Sequence, residues 1–459
     1  MIFFDKNGFS LRLADALTQA HANGAELLSV AFPPLPGTAF KCIANISEPV
    51  LLFFFENEKK GIAEIGLDFR TPITPAETFE NLSSAIPEKR TQISLVENEN
   101  SPCVPAPKIF VAGTFDDASA HSFAAIPTWQ ISKRNDTTQI CAHFRPTQEI
   151  QTQANALLAD YERILSLASA EPNTFPPLPA VVSETEVGDS DYRSRATRAI
   201  GEIITGKFEK IVLARARDFH FSPAQNFPAG TLLAALRNRF LSSGCTIFSA
   251  PTSTAHTQEK IVGASPEMLV RLQNGKLETE ALAGTVSNVP GETQARAEVL
   301  FFDAKERREH RLVVDFITEK LREFRLSPRF PAVPGILALP NVLHLHTPIE
   351  ADIPDRSFSL GKIVAALHPT PAMCGVPAAK AKKFIIENEA FPRENFSAPV
   401  GFLDADGNGF FAVAIRCAKI FNDKIRLYAG SGLVSGSVPE KEFSEINAKI
   451  SALASLLRK

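Results

Sequence analysis

"KIVGASPEMLVRLQNGKLETEALAGT", residues 260–285, holds apolar runs on either side of Asn274-Gly275. It reads as a hairpin, because Asn-Gly tolerates the positive φ that a tight hairpin turn demands. "FAVAIRCAKIFNDKIRLYAGSGLV", 411–434, reads as a further strand pair around Asn422-Asp423. Before them lie "KIVLARARDFHF" (210–221), a strand, and "DYRSRATRAIGEIITG" (191–206), a helix that stops at a glycine. Hairpin strands with separated helices argue an α+β fold rather than alternating βαβ units. No GxGxxG or GxxxxGK[ST] follows a strand, so a nucleotide-binding fold has little support.

The chain has 459 residues, 44% hydrophobic, enough for a large core. Length alone suggests about three domains at ~150 residues each. The sharpest composition shift is "EPNTFPPLPAVVSETEVGDSD", 171–191, which reads as a connector or exposed loop. Before it, "PVLLFFF", "KIFVAGTF" and "QICAHF" read as strands and "EIQTQANALLADYERILSLA" as a helix, without a catalytic motif. A net charge of −3 implies no broad basic field for nucleic acid or anionic lipid. Cys42, Cys103, Cys141, Cys245, Cys374 and Cys417 show no CxxC spacing, so neither zinc nor a disulfide framework is expected, and a reducing cytoplasm fits. "MIFFDKNGFS" lacks the features of a signal peptide, and "VLLFFF" (50–55) is far below the ~20 apolar residues needed to span a bilayer.

"KERREH", 305–310, opens an amphipathic helix whose acids are misplaced for a solvated face. At ~100° per residue, Glu306 and Glu309 fall near Val313 and Phe316, on the apolar stripe. "SVPEKEFSEINAKISALASLL" near the C-terminus repeats the device: Ser437 is placed to cap, and Pro439 suits the first turn. Glu442, Glu445 and Lys449 project together beside Ile446, Ile450 and Leu453. Either pair alone suits a solvated helix face. Two such pairs, each beside an apolar stripe, call for compensation, because buried carboxylates cost several kcal/mol. A divalent cation would compensate them. Hard oxygen ligands suit Mg²⁺, with one acid of each pair bound directly and the other through water.

"EKIVLARA", "GASPEMLVR", "ETEALAGT", "KERREH", "NVLHLHTP", "LHPTPAMCGVP", "FAVAIRCAKI" and "YAGSGLVSGSVPEKEFSE" occur in that order. Together they resemble the chorismate-utilising enzymes, closest to the isochorismate synthases, over roughly 190–459. The resemblance implies large, mainly antiparallel sheets packed as a sandwich with flanking helices. It implies one domain over 1–459, with 1–185 a divergent part completing the sheets and 186–459 the catalytic core. It also implies an isomerase that uses Mg²⁺ to convert chorismate to isochorismate: water adds at ring C2 while the C4 hydroxyl departs. By the same resemblance, Lys210 is the general base and Glu267 the general acid. Glu309 and Glu445 hold the metal, with Glu306 and Glu442 behind them through water. Thr285 and the Gly284 backbone help to hold the ring carboxylate. Arg416 and the backbone of Gly430 and Gly432 hold the enolpyruvyl carboxylate, while His344 and Lys449 line the site.

The chemistry is consistent with those roles. Chorismate is a dianion, which calls for a cation, a guanidinium and exposed amides. Glycines let backbone approach a carboxylate closely, and a proton-donating carboxyl needs a raised pKa, which an apolar wall supplies. Taken singly, Lys210 reads as a solvated strand end and Glu267 as a turn acid. Arg416, on an apolar strand, needs a ligand or a buried partner. His344 and His346 alternate with leucines, and one is expected to face in and one out. His368, Cys374 and Cys417 read as structural.

Within the family, Lys210 favours water as nucleophile, and Ala283 excludes the covalent lysine route of the aminodeoxychorismate synthases. "HPTPAMCG" is similar to the isochorismate synthase version. The alternatives are a salicylate synthase, which goes on to eliminate pyruvate, and a non-catalytic chorismate-binding subunit. A cytoplasmic monomer without a glutaminase subunit is expected. Its product would feed menaquinone, a catecholate siderophore or salicylate, menaquinone being preferred.

Overall fold

The computed structural model describes residues 6–35, 52–68, 71–72, 90–94, 105–116, 122–134, 137–169, 176–188, 191–221, 227–252, 259–354 and 358–458. Cys42, Cys103 and parts of the proposed connector lie outside these. Two sheets, of thirteen and nine strands, form an α+β sandwich flanked by helices. Among the described residues every strand pairing is antiparallel except that of Leu27–Leu35 with Arg90–Ser94. Strands from the first 144 residues enter both sheets. No described helix is long and apolar enough to cross a membrane.

Side-chain alternation explains the layers. In Leu52–Asn57, Phe53 and Phe55 point between the sheets, where Phe55 meets Phe402 and Phe410 edge-on at 5.6 and 5.0 Å. Phe54 points the other way, into the core beneath the helices. The helix Ala304–Glu323 lays Val313, Val314, Ile317 and Leu321 on the smaller sheet. The helix Pro439–Leu457 lays Ile446, Ile450 and Leu453 on the larger one. The acid-bearing helices thus cover opposite sheets, and only their N-terminal turns approach each other.

The opening stretch is a hairpin only in part. Met268–Gln273 and Lys276–Ser287 pair across Asn274-Gly275, with φ +52 and +79, as the turn chemistry requires. Lys260–Ser265, however, belongs to the other sheet, where it pairs with Cys417–Ile420. Gly409–Val413 similarly lies in the smaller sheet and Cys417–Ile420 in the larger. The chain therefore crosses between sheets at Pro266–Glu267 and again at residues 414–416. The crossings run side by side: Val413 N–H donates to Glu267 O at 3.1 Å, and Ala264 N–H donates to Arg416 O at 3.1 Å. Arg416 is accordingly at a crossing and not on a strand. Its φ of +50 costs an L-residue of order 1 kcal/mol.

Two smaller corrections follow. Part of the supposed connector, Val181–Glu186, is an exposed edge strand paired with Lys210–Phe221. Ser437 does not cap the last helix: Val438 holds that position, and Ser437 Oγ instead accepts Val434 N–H at 3.1 Å.

Away from the acid helices, the sheets are joined by a charge pair. Lys108 of the smaller sheet meets Glu64 of the larger at 2.9 Å, both side chains 2% exposed. Ser132 bridges the pair, and Gln130 links Ser132 through His143 to Ser29. Burial and the Lys108 charge hold His143 down at about 3, so it sits there neutral. Replacing Lys108 by Met leaves Glu64 buried and uncompensated. The expected loss is ~3–5 kcal/mol in urea unfolding, largely restored by the double change Lys108→Met with Glu64→Leu.

Candidate active site

A cleft opens where the two crossings meet the two acid helices. Its walls include Glu267, Thr285, Glu306, Glu309, His344, Arg416, Gly430, Gly432, Glu445 and Lys449. Of the other expected site residues, Lys210, Gly284 and Glu442 lie immediately behind the wall.

Lys210 begins the strand Lys210–Phe221, which runs antiparallel to Lys424–Val434. Its side chain is fully buried, with Nζ 3.0 Å from Glu309 Oε1. The pair passes over Gly432. A Cβ there would sit 2.3 Å from Glu309 Oε1 and 3.1 Å from Lys210 Cε, so only glycine leaves this approach open. The "AMCGVP" segment backs the same strand: at Gly375 a Cβ would meet Lys210 O at 2.2 Å.

Gly284, with φ +78, makes a bulge in Lys276–Ser287 that shifts the register against Val342–Asp352. The bulge aims Thr285 at the cleft. Thr285 N–H donates to Glu306 Oε2 at 2.8 Å, so this amide already holds a carboxylate. Thr285 Oγ1 lies 2.9 Å from His344 Nδ1. Burial, then the charges of Arg416 and Lys449, lower His344 well below the usual imidazole range, so its ring is neutral. His346 does not face away from His344. The two histidines share one face of the strand, as residues two apart must, while Leu343 and Leu345 pack on the other with Leu300.

The glutamates converge, but around ammonium groups. Lys305 Nζ contacts Glu306 Oε1 at 2.9 Å and Glu442 Oε1 at 3.0 Å, joining the two helices. Ser431 Oγ donates to the other Glu442 oxygen. Lys449 Nζ pairs with Glu445 Oε1 at 2.6 Å and donates to Gly430 O at 2.9 Å. Among the described residues, no three Asp, Glu, His or Cys side chains are set close enough to hold a metal ion. The four carboxylates present hard oxygens, but they face Lys210, Lys305 and Lys449, and Arg416 lines the same cleft. The two acids of the first helix respond oppositely to these surroundings. Burial and the neighbouring Glu309 raise Glu306, whereas for Glu309 burial is outweighed by Lys210 and Lys305 and the net shift is downward. Carboxylate oxygens are the type of donor that Mg²⁺ takes.

Glu267, 3% exposed, is pushed up to about 8, first by burial, then by the charge of Glu280, against an opposing pull from Lys210. It carries a proton at neutral pH. Arg416 opposes it on the neighbouring crossing. Burial lowers the Arg416 guanidinium against weaker support from Cys245 and Glu445. Among the described residues no carboxylate stands within ion-pairing distance of it. It is a half-buried cation on the wall of the cleft.

Several contributors escaped the sequence reading. Lys305 sits beside an acid on a helix and looks like an ordinary surface residue. His310 donates from Nδ1 to Ala283 O at 3.2 Å and accepts the Thr347 hydroxyl at Nε2, 2.8 Å, tying the acid helix to the strand before the bulge. Burial holds it down at about 4. Glu280 accepts Met268 N–H at 2.7 Å directly behind Glu267. Pro266, in what reads as a strand, was the available signal for the crossing.

The sequence profile of the family described as chorismate binding enzyme matches residues 13–458. The isochorismate synthase DhbC of Bacillus subtilis (strain 168) is 36% identical over 263 residues, 56% of this chain and 65% of that protein. The isochorismate synthase MenF of Escherichia coli (strain K12) is 38% identical over 269 residues, 57% of this chain and 58% of that protein. These alignments thus span less than two thirds of either relative. MenF of Haemophilus influenzae is 32% identical over 333 residues, 72% of this chain and 74% of that protein. In structure, the chain resembles the menaquinone-specific isochorismate synthase MenF from Escherichia coli, with TM-score 0.77 and 26% identity, covering 98% of this chain and 100% of that one.

The Glu267 shift has a stability consequence of fixed sign. Folded protein holds this proton to about pH 8, while the unfolded chain releases it near 4.3. Between those values the unfolded state binds fewer protons, so the group costs stability as pH rises. Glu267→Gln removes that cost. Its melting temperature is expected to exceed the parent's by several degrees at pH 9, and the difference should shrink toward pH 5.

Proposed function

Since the chain belongs to the chorismate-binding enzyme family, we propose that it is an isochorismate synthase that uses Mg²⁺. The observation that carries the reading is the placing of buried Glu267 and the Lys210–Glu309 pair about one cleft that is also lined by Arg416, which among the described residues has no carboxylate partner. An acid and a base held apart by their surroundings are what a simultaneous addition and departure at two ring carbons requires.

In this reading, Lys210 in its neutral form takes a proton from the water that attacks ring C2, and Glu309 at 3.0 Å stabilises the ammonium that forms. Glu267 gives its proton to the departing C4 hydroxyl, which leaves as water. Arg416 binds one substrate carboxylate, helped by backbone of Gly430 and Gly432. Thr285, the Gly284 segment and neutral His344 position the other end of the ring. Lys449 fixes Gly430 and Glu445. Glu309 and Glu445 would hold Mg²⁺, with Glu306 and Glu442 behind them; bound there, the cation supplies positive charge to the ring carboxylate. The small, unreactive Ala283 beside the bulge offers no nucleophile, which supports water as the adding group. Product supply to menaquinone synthesis is part of the proposal, supported by the extent of the likeness to the menaquinone-specific enzyme.

Incubation with chorismate and Mg²⁺ tests this. Isochorismate in equilibrium with chorismate supports the reading. Steady pyruvate release would instead indicate a salicylate synthase, and binding without turnover a non-catalytic subunit. Lys210→Ala should lower kcat by ~10²–10⁴-fold, and a chelator should abolish turnover until Mg²⁺ is restored.

A further inference from the structure

Behind Glu267 lies a second cleft, which shares Pro266 with the first and is lined by Glu280, His346, Met268 and Lys60. Glu280 makes two directed contacts there. One oxygen accepts the N–H of Met268, the peptide that follows Glu267, at 2.7 Å. The other accepts from His346 Nε2 at 2.8 Å, and because a carboxylate only accepts, Nε2 carries the hydrogen. Glu280 is a half-buried anion set next to the Glu267 peptide. Its neighbour two residues back, Glu278, is instead neutralised by Lys60 and Arg271. Among the described residues, Glu280 has no such lysine or arginine.

We propose that Glu280, held by His346, is a positioning residue for the proton donor: it fixes the Glu267 peptide, and its negative charge keeps the Glu267 carboxyl in its proton-bearing form. The proposal rests on the reading of Glu267 as the acid of the reaction. It explains why an acid facing the cations Lys210 and Arg416 retains a proton, since burial has an anionic ally behind the acid. After burial, Glu280 is the principal influence raising Glu267. The other charged groups around the pair are Lys210 on its strand, Glu306 and Glu309 on the acid helix, Arg416 on the paired crossing, and Lys59 and Lys60 at the rim of the second cleft. Of these, Lys210 opposes the effect directly, and Cys245 adjoins both Arg416 and Glu280 electrostatically.

Glu280→Gln keeps an oxygen for Met268 N–H but removes the charge. In ¹³C-glutamate-labelled protein, the infrared band of a protonated carboxyl that disappears in Glu267→Gln reports this proton directly. In Glu280→Gln that band is expected to titrate lower by about one pH unit, the scale of a like-charge neighbour. The basic limb of kcat/KM should move down with it while KM changes little. An unchanged titration in folded Glu280→Gln overturns the proposal. If that variant does not fold, His346→Ala decides: without the donor that holds it, Glu280 is free to swing away from the Glu267 peptide, so the Glu267 titration should fall, and no movement overturns the idea. The infrared measurement needs no turnover. A parent protein that makes no isochorismate would therefore defeat the proposed reaction without affecting this result.

Discussion

The site depends on two hydrogen bonds between neighbouring crossings, Val413 to Glu267 and Ala264 to Arg416. Two antiparallel segments leave one sheet and join the other at the same place, each stitched to its neighbour as it passes. A crossing between sheets carries few ladder bonds of its own. Here each supplies what the other lacks, and the gap between the sheets is held open at a fixed width. The acid and the guanidinium stand on these two bridges, so their separation is set by backbone and not by side-chain choice. The positive φ of Arg416 is the local cost of that arrangement.

The remaining parts are delivered by regular elements. A strand start buries Lys210, a bulge at Gly284 turns Thr285 inward, and two helix N-terminal turns bring four glutamates together. The helices lie on opposite sheets, so their approach depends on the sandwich being closed correctly at this end. At the other end the Glu64–Lys108 pair and its polar chain fix the same spacing by different chemistry. The chain before Lys210, which supplies none of the site residues named above, thereby acts on the site through the geometry of the sheets.

Residue spacing revealed the acid helices, because three-residue intervals beside an apolar stripe can be read without tertiary information. The Asn274-Gly275 turn was legible for the same local reason. Sheet membership was not. Period-two alternation reports that a strand has two faces, and is silent on which sheet it joins, so 260–285 and 411–434 each looked like one hairpin. His344 and His346 were misjudged by weighing their leucine neighbours instead of their own spacing. Lys305 and Glu280 were invisible because each sits where charged residues are common, and their importance comes from tertiary partners: Glu442 for one, Met268 and His346 for the other.

Lys305 touches acids from both helices with one nitrogen. This makes the two distant segments a single genetic unit. A substitution at 305 alters the electrostatic burden on 306 and 442 together, and a change in either acid alters what is tolerated at 305. Divergence here should proceed by compensated sets, with the intermediate single steps disfavoured, so that the order in which substitutions accumulate matters as much as their identity.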